Sequence, residues 1–301
     1  MILIRVMGGL GNQLQQFALY EKLRSMGREA KLDLGWFRKE NQEKMAAPRE
    51  LELTRFQGLV LESCTNAERD RFLNRSAVAR AIGRFFDISP VFSESEMYHP
   101  EIFTWTDKYL MGYFACEKYY ADRLETLRSL LVFPQAERED RRLYNVELMN
   151  EMEERYSVSI HVRRGDYLEP DNASLFSGIT TDAYYEKAMA LFIAREPRVH
   201  FYVFSDDTAY VSQKYDNRDR FTIVSGNSGR ESMLDIQLMS HCRGNICANS
   251  TFSFWGARLN AHPDKICVRP LVMRNNQEAR PEVMHDLWDG WTLIDSKGQV
   301  V

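Results

Sequence analysis

Two short stretches hold most of the side chains that could do chemistry. In "SIHVRRGD", residues 159–166, a strand pattern runs into a charged loop. Side chains alternate across a strand, so Val158, Ile160 and Val162 share one face while Ser159, His161 and Arg163 share the other. A guanidinium presents a planar fork that matches phosphate oxygens, which makes Arg163 or Arg164 an anion ligand by type. An ion pair from Asp166 to Arg163 or Arg164 explains the same spacing equally well. In "ANSTFSFWGA", residues 248–257, Ser250 or Thr251 can cap the helix that follows. The free N–H groups of a helix start bind anions. A plain capped helix accounts for that stretch unless the arginine loop lies beside it. Gly256 and Ala257 would let the helix pack closely on a sheet.

Two further loops end apolar strand patterns. "SDD", residues 205–207, offers Asp206 and Asp207 to a base, a ribose or a metal, although aspartates also cap helices. "GGLGNQ", residues 8–13, follows the run "MILIRVM" and holds two of the three glycines of a dinucleotide loop, with Leu14 in the third place. Asp33 stands where a ribose-binding acid would. An NAD(P)-dependent oxidoreductase is therefore a competing reading of residues 1–35. No D-x-D, H-E-x-x-H or cysteine cluster occurs, so no dedicated metal site is expected.

Parallel strands alternating with helices must position these loops. Residues 1–35 read as strand, glycine turn, helix and strand, with Leu14, Phe17, Ala18, Leu23 and Met26 as the apolar stripe. Residues 119–155 read as helical, and strands alternate with helices from 156 to about 270. A domain boundary is expected near 155. Open parallel sheets bind ligands beyond the carboxyl ends of their strands, and all four loops sit there.

The chain has 301 residues, 44% hydrophobic and 27% charged, with net charge −4. This suits a globular protein and gives no basic field for nucleic acid. Five cysteines at irregular spacing read as free thiols of a reducing compartment. The longest apolar stretch, "AMALFIA" at 188–194, is far short of the ~20 residues that cross a bilayer. The reading is a cytoplasmic chain. Arg69, Arg71, Arg75, Arg80 and Arg84 could touch an anionic membrane surface as a basic amphipathic helix, but a solvated helix face is preferred.

Taken together, "GGLGNQLQQFALY", "YFACEKYYAD", "VSIHVRRGDYL", "FYVFSDD" and "LMSHCRGNICANSTFSFWGARLN" resemble the motifs of bacterial α-1,2-fucosyltransferases, the inverting GDP-fucose-dependent enzymes of glycosyltransferase family 11. The likeness runs to about residue 270. It departs where the family usually has an aromatic near Gln15 and a second Trp at Phe254, and residues 36–110 match poorly. Acceptor specificity is expected in that region.

The resemblance implies a GT-B-like α/β fold, two doubly wound Rossmann-like domains with a cleft between them. Residues 1–155 would form the acceptor side and 156–270 the donor domain, with 271–301 packing back on the first. Arg163 would grip the diphosphate, beside His161. Asn249, Ser250, Thr251 and Phe252 would meet the phosphates, and Asp206 would read guanine. Gly11 and Asn12 would reach the fucose. Asp166 is a candidate base or a buttress for the arginine loop, and Asp235 a weaker candidate. The implied donor is GDP-fucose, used without metal or other cofactor. The implied acceptor is a terminal β-galactose, with lipid-linked surface-glycan precursors included, and membrane contact is at most peripheral. A non-catalytic carbohydrate-binding relative is the remaining alternative.

Overall fold

The structure is a computed structural model and describes residues 1–301 except 46–47, 75–88 and 279. It divides into two compact units, Met1–Val132 and Phe133–Val301.

The first unit is built on four parallel strands: β1 (Ile2–Arg5), β2 (Ala30–Asp33), β3 (Val91–Ser93) and β4 (Lys108–Met111), in the order β2-β1-β4-β3. Ile2, Leu3 and Ile4 are all buried, as strands covered on both faces require. The helix Leu10–Ser25 joins β1 to β2. Lys22 and Arg24 face its negative end, and Gly27, at φ +72°, carries the chain out through a left-handed turn. Leu14, Phe17, Ala18 and Leu23 are buried as the stripe requires, whereas Met26 is exposed.

The sequence reading missed that Gln13, Gln15 and Gln16 are fully buried on this helix. Gln13 Nε2 donates to Gly8 O and Glu50 O, both at 2.9 Å, and its Oε1 accepts from Glu52 N at 2.8 Å. Gln16 accepts from Met7 N at 3.0 Å and donates to Gly112 O at 2.8 Å. These amides replace the backbone partners that irregular segments lack. Asp33 is equally committed: it accepts from Tyr109 OH at 2.6 Å and from Gly35 N at 2.9 Å.

In the stretch that resisted a sequence reading, Thr65 and Glu68 form a reciprocal capping box on the helix Asn66–Leu73, whose Phe72 packs on Leu3 and Tyr109. Arg69 and Arg71 of that helix pair with Asp70 and Asp107. Arg75, Arg80 and Arg84 lie outside the described residues. No helix among the described residues is long and apolar enough to cross a membrane.

The second unit carries six parallel strands: β5 (Ser157–Val162), β6 (His200–Ser205), β7 (Phe221–Val224), β8 (Gly244–Ile246), β9 (Ile266–Pro270) and β10 (Trp291–Ile294). Their order is β10-β9-β8-β5-β6-β7. The chain winds outward from β5 through β6 and β7, then returns to the other side of β5 with β8. The strand order therefore reverses between β5 and β8, which is where open α/β sheets leave a crevice.

Two expectations about domains are corrected. The units divide after Val132, not near 155, because the helix Glu139–Glu154 packs on β5 and on the helix Met233–His241. Residues 271–301, expected to pack back on the first domain, belong to the second unit. Their strand β10 pairs in parallel with β9, Trp291 opposite Cys267, and completes the second sheet. Residues 119–155 hold two helices, Leu124–Leu130 and Glu139–Glu154, in place of a continuous run.

Gln13→Leu should lower unfolding free energy by about 3 kcal/mol, because it strips hydrogen bonds from several buried backbone groups at once. Arg138→Ala, which removes the exposed pair with Asp140, should change it by less than about 0.5 kcal/mol. Urea titration of both variants checks the contrast.

Candidate functional site

The crevice between β5 and β8 is fixed from below by two neighbouring tyrosines. Val158, Ile160 and Val162 pack on Tyr184, Tyr185, Ala188 and Phe192 of the helix Asp182–Arg195, as strand alternation predicts. Tyr185 OH donates to His161 O at 2.9 Å, and Tyr184 OH donates to Cys247 O at 2.6 Å. One helix thereby pins a carbonyl near the carboxyl end of each flanking strand. Nothing in "AYYEKAMALF" distinguished these tyrosines from ordinary core residues.

Above β5, the charged loop meets the end of β6. Val162 pairs with Ser205 in the register, so "RRGD" lies beside "SDD". Arg163 Nη2 lies 2.7 Å from Asp166 Oδ1, and its Nη1 lies 3.0 Å from Asp206 Oδ2. Arg164 N donates to Asp206 Oδ1 at 2.9 Å. Its Nε lies 3.2 Å from Asp207 Oδ2, and its guanidinium lies 3.7 Å from the Tyr210 ring. A Cβ on Gly165 would sit 2.6 Å from Asp206 Oδ2, so the approach demands glycine. Asp207 also caps the next helix, accepting from Tyr210 N at 3.0 Å, which holds its carboxyl below the usual range.

The structure thus gives Arg163 the ion pair weighed against phosphate binding, and a second one besides. Asp206, expected at guanine, has both oxygens engaged by the arginine loop.

Across the crevice, the helix Thr251–Leu259 begins at Ser250. Ser250 takes the cap position without a side-chain bond, contrary to the expected cap, and the first turn carries no acid. The N–H groups of that turn therefore face the crevice unopposed. Gly256 packs against Met239 of the neighbouring helix, not against the sheet: an added Cβ would lie 2.6 Å from Met239 Cβ. Tyr167 OH donates to Asn249 O at 2.9 Å and links the arginine loop to this turn. Asn249 Nδ2 donates to Phe176 O and Met273 O, while its buried Oδ1 has no partner.

His161, 5% exposed, has its ring centre 5.7 Å from that of Phe252, and its Nδ1 has no partner. Burial, helped by Arg163, pulls its pKa down to about 3, so the ring stays neutral. Arg163, Asp166, His161, Asp206, Asn249, Ser250, Thr251 and Phe252 thus gather around one switch point. Gly11 and Asn12 lie in the first turn of helix Leu10–Ser25 in the other unit, where Gln15 donates to Asn12 Oδ1 at 3.3 Å. No group of three or more metal-binding side chains occurs among the described residues.

Asp235 stands in the first turn of the helix Met233–His241 and is half-buried. Asn227 Nδ2 donates to it at 2.9 Å and also pairs with Asn145. Burial pushes its carboxyl up to about 7, against the pull of Asn227 and Arg141.

These two groups make opposite contributions to acid stability. Below its unfolded value of about 6.5, a histidine held at about 3 leaves the unfolded chain with the extra proton, so stability falls as pH falls. A carboxyl held at about 7 gives the folded chain the extra proton, so stability falls as pH rises from about 4 to 7. Each slope is at most about 1.4 kcal/mol per pH unit. Between pH 4.5 and 6, Asp235→Asn should therefore tilt the stability profile upward with pH relative to wild type, and His161→Gln should tilt it downward. Parallel profiles in urea titrations would contradict both assignments.

Comparison with known proteins gives the family. The sequence profile of glycosyl transferase family 11 matches residues 99–293. An α-1,2-colitosyltransferase of Escherichia coli is 28% identical over 292 residues, covering 92% of this chain and 93% of that protein. The O-antigen biosynthesis glycosyltransferase WbnK of Escherichia coli is 40% identical over 114 residues, 38% of each chain. Galactoside α-(1,2)-fucosyltransferase 1 of Rattus norvegicus is 36% identical over 105 residues, 34% of this chain and 27% of that one. The matches span well under half the length of the last two relatives and nearly all of the first. The chain belongs to glycosyltransferase family 11 and is related to its α-1,2-fucosyl- and α-1,2-colitosyltransferases.

Proposed function

We propose that the protein transfers L-fucose from GDP-β-L-fucose to O2 of a terminal β-galactose, inverting the anomeric centre, in the synthesis of a bacterial surface glycan. The supporting observation is the convergence at the β5–β8 switch of three things: the Arg163 fork, the uncapped start of helix Thr251–Leu259, and the unpartnered buried atoms His161 Nδ1 and Asn249 Oδ1. Phosphate oxygens suit the first two, and a hydroxyl or N–H donor of a nucleotide suits Asn249 Oδ1.

The chemistry follows from where charge grows. As the bond from fucose to the diphosphate breaks, the sugar takes oxocarbenium character and negative charge builds on the leaving phosphate. Groups already oriented toward that charge lower the barrier without reorganising. Asp166 and Asp206 hold the Arg163 fork in place, and this favours the buttress role for Asp166 over that of a base. The same groups offer the leaving diphosphate its counter-charge, so the reaction is proposed to need no divalent metal.

One competitor is answered by particular residues, and a second donor sugar stays as the alternative. An oxidoreductase at the first glycine loop would need Asp33 for the ribose, but Tyr109 and Gly35 occupy it, and fully buried Leu14 fills the third glycine position. Colitose is the stronger alternative donor sugar, because the colitosyltransferase relative aligns along 92% of the chain. Colitose lacks the C3 hydroxyl of fucose, so competition between the two GDP-sugars separates the readings.

The test is GDP release from GDP-fucose in EDTA, with lactose, N-acetyllactosamine and Gal-β1,3-GalNAc as separate acceptors and GDP-colitose as a second donor. Acceptor-dependent release, with a product cleaved by an α-1,2-fucosidase, is expected. Activity lost in EDTA and restored by Mn²⁺ would contradict the metal-free mechanism, and stabilisation by NAD(H) in place of GDP would contradict the function. Arg163→Ala should lower kcat at least about 100-fold. Arg163→Lys should lose more than about tenfold, because a point charge cannot replace the fork; near-normal turnover by the lysine variant would remove Arg163 from the diphosphate.

A further inference from the structure

Arg269 is a charged side chain with nothing to neutralise it. It lies on β9, level with Cys247 beyond β8 and with His161 on β5, and the three share one face of the sheet. Two strand spacings separate it from His161, about 10 Å. It is 0% exposed. Nε donates to Pro270 O at 2.9 Å, while Nη1 and Nη2 have no acceptor among the described residues. Its guanidinium carbon lies 3.9 Å from the Trp288 ring and 5.0 Å from the Phe254 ring. The groups close enough to act on its charge are Tyr184, Cys247 and a second guanidinium, Arg258, which stacks on the same Trp288. No carboxylate is among them.

A buried charge of this kind destabilises a fold, and a well-packed apolar side chain in its place is often neutral or stabilising. Its position suggests what offsets that cost. Phe254 closes the first turn of helix Thr251–Leu259, its N–H donating to Ser250 O, and the Arg269 guanidinium lies 5.0 Å from its ring. The opposite wall is short of positive charge: Arg163 and Arg164 face the three carboxylates of Asp166, Asp206 and Asp207.

We infer that Arg269 is a remote electrostatic residue of the donor site: an unneutralised cation that strengthens diphosphate binding at the start of helix Thr251–Leu259 without touching it. This rests on the donor-site reading above. Low dielectric around the guanidinium lets its field reach the crevice, and at about 10 Å one charge shifts the affinity of a polyanion about tenfold.

The test compares wild type, Arg269→Met and Arg269→Lys by GDP and GMP titration calorimetry and by urea unfolding. The methionine variant should unfold at or above the wild-type midpoint. It should bind GDP about tenfold more weakly, with a smaller loss for GMP, and the lysine variant should recover most of the GDP affinity. Binding of GDP by Arg269→Met within twofold of wild type would overturn the inference, as would a lysine variant no better than methionine. A wild type that binds no GDP would remove the donor-site reading itself, and the inference with it.

Discussion

Arg163 held between Asp166 and Asp206 is the interaction on which the site depends. A guanidinium at the end of a strand has many rotamers; two ion pairs hold it in one. That pairing exists because β5 and β6 are adjacent and in register to their last residues, so two loops far apart in the chain meet at the same height. Gly165 allows the approach, since any side chain would strike Asp206. The Arg164–Asp207 pair repeats the contact one residue along, and Asp207 also starts the helix behind it. Register, loop and helix cap are thus joined through five charged side chains.

The same arrangement sets an electrostatic problem. A loop with two cations and three carboxylates is not by itself an attractive place for a diphosphate. On the proposed reading the fork supplies geometry, and the attraction comes from the helix start across the crevice, whose cap residue makes no side-chain bond, and from the buried Arg269. The unpartnered His161 and Asn249 atoms belong to this economy of incomplete satisfaction. Buried polar atoms without partners are rare in folded proteins, and these two sit at strand ends where a ligand would complete them.

Much of the second unit was legible in the sequence, because strand and helix periods alternate cleanly and the loops between them are chemically distinctive. The face assignment along "VSIHV" follows from period-two alternation alone, and the packing agrees with it. The first unit was harder. β3 and β4 are three and four residues long, too short for a period to register, and nothing in the sequence marks the glutamines of helix Leu10–Ser25 as buried. Glutamine inside a core makes sense only once the irregular segment at 50–53 lies against it. The role of Asp206 was equally invisible: an aspartate after a strand looks the same whether it caps a helix, reads a base or holds an arginine two elements away. The place of β10 was missed because the strand lies beyond the clearly alternating region and is assigned by pairing with β9 alone.

The most direct test of the account is amide hydrogen exchange with and without GDP. If the diphosphate sits at the β5–β8 switch, GDP should slow exchange in residues 161–167, 205–207 and 248–254 together. Protection confined to residues 8–13 and 33–37 would place the nucleotide on the glycine loop of the first unit and contradict the account.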